Sequence, residues 1–193
     1  MHLALTGLFR AKWSADIHEE WISALLRNRP DLTRTKLERT RMLMDQHATD
    51  ALVTDYQHLI PGLQLPDAND RHVLAAAIRA RADVIFTINL RDFPPEAMAT
   101  FGIEAQHPDE FILHLLDLAP GVVARAAQDH RLSLKNPAKT IEEYLNTLEA
   151  QGLTQTVSVL REYGFEHSSS WDMFWEFSMD QGDERKIYGV TSS

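Results

Sequence analysis

At 193 residues, 44% of them hydrophobic and 24% charged, the chain is long enough for one well-buried core and a smaller appendage. It has no cysteine, which excludes a disulfide framework, a thiolate metal site and a cysteine nucleophile. A net charge of -9 argues against non-specific nucleic-acid binding through the whole surface, so a polyanion would have to be held by a local basic patch or through metal ions.

Residues 1–8 read as the last turns of a helix closed by Gly7, and Phe9 to Trp13 as a short strand. No basic leader, and no run of about 18 apolar residues, occurs anywhere, so a cytoplasmic chain without a membrane segment is expected. Ser14 is placed as the N-cap of a helix that carries Ile17, Trp21, Ala24 and Leu25 on one face, with Glu20 flanking that stripe, and Arg29-Pro30 ends it. A second helix over Asp31 to His47 is the most basic stretch of the chain. Its Arg34, Lys36, Arg39 and Arg41 make it the candidate phosphate-facing surface.

Ala51 to Tyr56 reads as a strand and Ile60 to Leu63 as a turn, followed by a helix from Asp70 to Arg81 that buries Val73, Leu74, Ala77 and Ile78. Val84 to Ile88 is an uninterrupted apolar, β-prone run, the pattern of a strand covered on both faces in a parallel sheet. Asn89 to Pro94 is then the loop at its carboxyl end. A short helix over Pro95 to Thr100, a strand near Ile103 to Ala105 and a helix from Pro108 to Leu118 continue the α and β alternation of a doubly wound sheet. Beyond Pro120 the pattern is helical: 120–130, Thr140 to Ala150 and Thr154 to Tyr163. Ser168-Ser169-Ser170 reads as a linker to an aromatic tail, whose Trp171, Phe174 and Trp175 share one helical face. The expected division is an α/β domain over 1–118, a helical part of the same unit over 119–165, and the tail over 166–193.

Ligands of open α/β sheets bind outside the carboxyl ends of the strands, which directs attention to Asn89 and Asp92. Asp70 opens a helix three and four residues before Val73 and Leu74, so its carboxylate stands at the N-terminal end of the buried face. Asp67 as an N-cap and Asp70 in the first turn are also what the helix dipole favours, and Glu20 reads equally as a solvated helix-face residue. Converging carboxylates suit Mg²⁺ or Mn²⁺ and the metal-assisted cleavage of phosphodiesters. The nine histidines include no close ligand spacing, and His72, His107, His114 and His130 read as surface or core residues. No glycine-rich nucleotide loop and no nucleophile elbow is present.

The runs Leu65-Pro66-Asp67-Ala68-Asn69-Asp70-Arg71-His72-Val73-Leu74-Ala75-Ala76-Ala77 and Ala82-Asp83-Val84-Ile85-Phe86-Thr87-Ile88-Asn89-Leu90-Arg91-Asp92-Phe93-Pro94 resemble the central motifs of PIN-domain proteins. The bacterial VapC-like toxin subgroup is the nearest resemblance. It takes in Trp13-Ser14 through Glu20-Trp21 and the region of Lys135-Asn136-Pro137, about residues 1–165 in all. The resemblance implies a Rossmann-like α/β fold, a parallel sheet flanked by helices, with a helical C-terminal extension. It also implies an Mg²⁺- or Mn²⁺-dependent ribonuclease acting on RNA, commonly the toxin of a pair with an antitoxin protein; a homodimer is a further possibility.

Carried onto this chain, the resemblance makes Glu20 and Asp70 metal ligands and Asp92 and Asn89 catalytic or water-positioning groups; the expected substrate-binding cations are Arg34, Arg39 and Arg41 of the basic helix, with Arg71. The family's acid after the core strand falls on Asn89. Its opening strand and that strand's aspartate have no counterpart here, so the expectation is an N-terminally truncated fold, from a start upstream of Met1 or a decayed copy. A catalytically inactive PIN-like interaction module is the competing expectation. Lys186 to Val190, β-prone, is a candidate to fill the strand gap.

Overall fold

The computed structural model describes residues 2–135 and 137–163 in full, and 189–192 as backbone. The aromatic tail with Trp171, Phe174 and Trp175, and Lys186 to Tyr188, lie outside the described residues. These residues group into two compact units, one of 9–107 with 189–192, the other of 2–8 with 108–163. The division falls before Pro108, whereas the pattern of the sequence placed it after 118.

The first unit is an α/β layer structure. Strand β1 (Arg10–Ser14) runs into α1 (Ala15–Asn28), whose N-cap is Ser14, its Oγ accepting from Ile17 N at 3.2 Å as the sequence implied. Helix α2 (Arg34–His47) starts later than expected, from the N-cap Thr33, because Asp31 is turned back to accept two hydrogen bonds from the Arg29 guanidinium. Strand β2 (Leu52–Val53) is short, since Asp55 at φ 60° leaves extended geometry. A 3-10 turn at Ala68–Asp70 leads into α3 (Arg71–Ala80), which Arg81 closes in the left-handed region. Strand β3 (Val84–Phe86), α4 (Pro95–Met98) and β4 (Glu104–Gln106) follow.

The sheet order is β2-β1-β5-β3-β4, where β5 is Gly189–Ser192. The pairs β1 with β2 and β3 with β4 are parallel, as the resemblance implied. The middle strand is not: β5 runs antiparallel to both neighbours, with Val190 opposite Lys12 on one side and Ile85 on the other. The expectation that the chain's end supplies a strand is thus met by residues 189–192. Helix α3 packs across β1, β2, β3 and β5. Its face Val73 to Ala77 is wholly buried, and the three alanines there let the helix lie close on the sheet.

Helices α1 and α2 are tied by a buried polar knot. Trp13 Nε1 donates to Asp45 Oδ1 at 2.8 Å, His18 Nε2 lies 3.1 Å from the same oxygen, and Trp21 Nε1 donates to His18 Nδ1 at 2.9 Å. Trp21 can only donate, so His18 is the tautomer protonated on Nε2. Burial holds His18 below its ordinary pKa, against the opposing pull of the Asp45 hydrogen bond.

The second unit is helical: α5 (Pro108–Leu118), α6 (Pro120–Ser133), α7 (Ile141–Ala150) and α8 (Thr154–Glu162), with a 3-10 turn at Leu3–Leu5 against α6 in place of the expected helix end. Its core is Leu115, Leu116, Tyr144, Leu145, Leu148, Val157 and Leu160. Among the described residues, no helix is long and apolar enough to cross a membrane.

Candidate metal centre

Two loops at one edge of the α/β unit build the site. After β3 the chain stays anchored by Thr87, which is fully buried, donates N–H to Gln106 O at 2.9 Å, and accepts from Asn89 N on its Oγ1 at 3.1 Å. That bond turns the chain into a 3-10 turn at Leu90–Asp92, and buried Phe93 pins its far end. Within the turn, the Asn89 side-chain amide donates to Asp92 Oδ2. The second loop is the 3-10 turn at Ala68–Asp70, where Asp67 accepts from Asn69 N at 2.8 Å and Asp70 N donates to Asp67 O at 3.2 Å. The tight pitch of that turn, three residues per revolution, sets Asp67 and Asp70 on the same side.

The two loops bring Asp67, Asp70 and Asp92 together, with one oxygen of each within 4.8 Å of the others. Asp70 is completely buried and the other two half-buried. Three ionised carboxylates so close repel by roughly 3 kcal/mol or more per pair at an effective dielectric of about 20. The N-terminus of α3 beside Asp70 offsets part of this, up to about 1 kcal/mol in ordinary settings. The donor set, all carboxylate oxygen and no imidazole or sulfur, is that of a hard divalent cation, so the residues fit Mg²⁺ or Mn²⁺.

The other sequence candidates are placed as follows. Asn89 and Asp92 sit where the strand end was expected to put them, and Asp70 lies at the centre of the cluster. Glu20 is not one of the three acids: from α1 its Oε1 meets His72 Nε2 at 3.1 Å, two residues beyond Asp70. Arg34 is bound to Glu19 at 2.6 Å and to Glu38 at 3.4 Å, and Arg41 lies 3.5 Å from Glu38 and 3.9 Å from Asp45. The Arg34 guanidinium holds Glu19 down to about 2. The basic helix therefore spends two of its cations on acids of α1 and of its own. Arg39 is exposed and Arg71 half-buried, neither in an ion pair among the described residues.

Sequence reasoning missed Asp67 as a cluster member and His72 as a partner. The three-residue spacing from Asp67 to Asp70 was the available signal for the first; nothing local marked the second. An apolar cavity of about 400 Å³ lies behind the same loop, lined by Leu90, Phe93, Pro95, Met98 and Ile103, and none of the three aspartates lines it.

Residues 1–91 match the family model described as PIN domain. That match takes in 91 of the 193 residues, just under half of the chain, and lies within the α/β unit and the turn before it. The second unit has its own match: residues 108–162 fit the family model described as VapC50 C-terminal domain, beginning where the helical unit begins. A relative from Mycobacterium tuberculosis (strain ATCC 25618 / H37Rv), named "Putative ribonuclease VapC50", is 49% identical over 70 residues, 36% of this chain and 41% of the relative. The match thus spans well under half the relative's length. No solved structure matches the chain. Together the two family models account for residues 1–91 and 108–162, the first similar to a PIN domain and the second to the C-terminal domain of VapC50.

Proposed function

We propose that this chain is a PIN-type, metal-dependent endoribonuclease, the toxin component of a toxin-antitoxin pair, acting on RNA in the cytoplasm. The observation that carries the reading is the convergence of Asp67, Asp70 and Asp92 at the carboxyl end of β3, in a chain whose family match and mycobacterial relative both point to ribonuclease chemistry. The partner antitoxin, and a homodimeric state, belong to the same proposal.

In this reading Asp70, held rigid by burial at the head of α3, is the central ligand of a Mg²⁺ or Mn²⁺ ion, with Asp67 and Asp92 beside it. Glu20, outside that cluster but held at His72 two residues beyond Asp70, is taken as a further acid toward the ion. The ion, when bound, supplies Lewis acidity toward the scissile phosphate and an activated water. Asn89 fixes the direction of the Asp92 carboxylate through its amide. Arg71, next to Asp70, and Arg39 on the basic helix are the cations best free to meet the phosphates; Arg34 and Arg41 would have to exchange their present acidic partners for RNA.

The test is cleavage of a labelled RNA with Mn²⁺ by the full chain, beside Asp70→Asn and Asp92→Asn, with Mn²⁺ binding measured in parallel by calorimetry. The wild type is expected to cleave, and both variants to lose activity and metal affinity together. Cleavage at one rate in all three preparations would mark a contaminating nuclease and overturn the reading.

A further inference from the structure

We infer that His72 is a positioning residue, holding one oxygen of Glu20 so that the other is kept bare for the cation. The inference rests on the metal-centre reading above, in that Glu20 is taken to share in holding the ion.

A carboxylate has two oxygens to satisfy. Glu20 Oε1 meets His72 Nε2 at 3.1 Å; Glu20 Oε2 is buried and has no hydrogen-bond partner among the described residues. A buried acceptor left bare costs about 1–3 kcal/mol, more when charged, so a chain that keeps one needs a compensating ligand there. The histidine shows the same asymmetry. A carboxylate only accepts, so the shared proton sits on His72 Nε2, while His72 Nδ1 is buried and has no partner among the described residues. Such a pair differs from an exposed ion pair, which contributes little: the His72 side chain is only 12% exposed and that of Glu20 32%.

The placement gives the contact its purpose. His72 lies in the first turn of α3, the helix that Asp70 opens, while Glu20 comes from α1. The hydrogen bond is therefore a strut from the helix end carrying the central aspartate to an acid elsewhere in the fold. Metal-ligating carboxylates are commonly oriented by a hydrogen bond of this kind, and removal of the outer partner typically costs about 10- to 100-fold in metal affinity.

The experiment is Mn²⁺ titration of the full chain by calorimetry, in wild type, His72→Gln, His72→Ala, Glu20→Gln and the double variant Glu20→Gln with His72→Ala. His72→Ala is expected to weaken Mn²⁺ binding about 10- to 100-fold, and His72→Gln, which keeps an N–H donor, to recover most of it. The double variant is expected to bind no more weakly than Glu20→Gln alone, since the histidine acts only through the glutamate. Where alanine unfolds the chain, His72→Phe keeps the ring volume and must show the same loss. Affinity within twofold of wild type in His72→Ala or His72→Phe, a glutamine variant as poor as alanine, or additive losses in the double variant would each overturn the inference. Mn²⁺ binding that follows this pattern in a chain that cleaves no RNA would remove the nuclease reading and leave the strut standing; a wild type that binds no Mn²⁺ would remove both.

Discussion

The Asn89 side-chain amide donates to Asp92 Oδ2 within a single 3-10 turn, so the neutral residue at the end of β3 orients the acid three positions later. Asn89→Ala removes that hold, and the Mn²⁺ affinity is expected to fall by about tenfold or more. Asn89→Asp has a different signature. It places a fourth carboxylate beside three and removes the donor, so the metal-free protein should melt lower. The rise in melting temperature on adding Mn²⁺ should then exceed that of wild type, because the ion relieves more repulsion. Equal rises in the two proteins would show that position 89 does not face the cation.

That turn also marks how far the sequence could be read. The apolar run at Val84, Ile85 and Phe86 gave away a buried strand, and Asn89 and Asp92 followed as its end, because strand burial and strand-end position are local properties. Asp70 was legible for the same reason. Asp67 was read only as a cap, although one side chain can accept a backbone N–H and still face a neighbouring acid. The contact of Glu20 with His72 joins two helices far apart in sequence, and no helical period encodes which residue an exposed edge will meet. The direction of β5 was hidden as well: β-prone residues declare a strand, but only its neighbours decide whether it runs parallel or antiparallel.

Helix α8 begins without a cap of its own, since the N-cap position is Leu153. Its first amides are served by another helix: Asp109 of α5 accepts from Gln155 N and Thr156 N, both at 2.9 Å, and is 5% exposed. Asp109→Ala strips both amides of their acceptor, Thr156 N buried and Gln155 N part-buried, and is expected to cost about 2–4 kcal/mol. Urea unfolding followed by circular dichroism checks this, and a loss below about 0.5 kcal/mol would show that water replaces the carboxylate there.

The capping box of α7 gives a pH dependence of known sign. Glu143 Oε2 accepts from Thr140 N at 2.8 Å and from Thr140 Oγ1 at 2.9 Å, and these bonds, the backbone one foremost, hold its carboxyl below the ordinary 4.5. A folded-state pKa below the unfolded one means that the unfolded chain takes up the proton first, so the contribution is full above pH 4.5 and lost as the pH falls through the folded value. Wild type should therefore melt above Glu143→Gln at neutral pH, with the gap closing on acidification below 4.5. A gap that stays constant or widens in acid would show that the carboxylate is not the group that caps.

Strand β5 is what joins the sheet: β1 with β2 lies on one side of it and β3 with β4 on the other. Val190 takes part in both ladders, opposite Ile85 in the middle of the one with β3 and opposite Lys12 at the end of the one with β1. Proline there removes a ladder donor and forces its ring into a central strand, a change expected to cost about 3 kcal/mol or more. Hydrogen exchange separates this from a general loss of stability. Amides of β1 and β3, Lys12 and Ile85 among them, should exchange faster in Val190→Pro, while those of α7 and α8, which belong to the other compact unit, should keep their protection. Because β1 leads into the helix of Glu20 and β3 into the loop of Asp92, Mn²⁺ affinity should fall with the lost protection. Unchanged exchange in both strands would mean that the chain's end does not complete the sheet, and that the acids on either side are held in register by α3 alone.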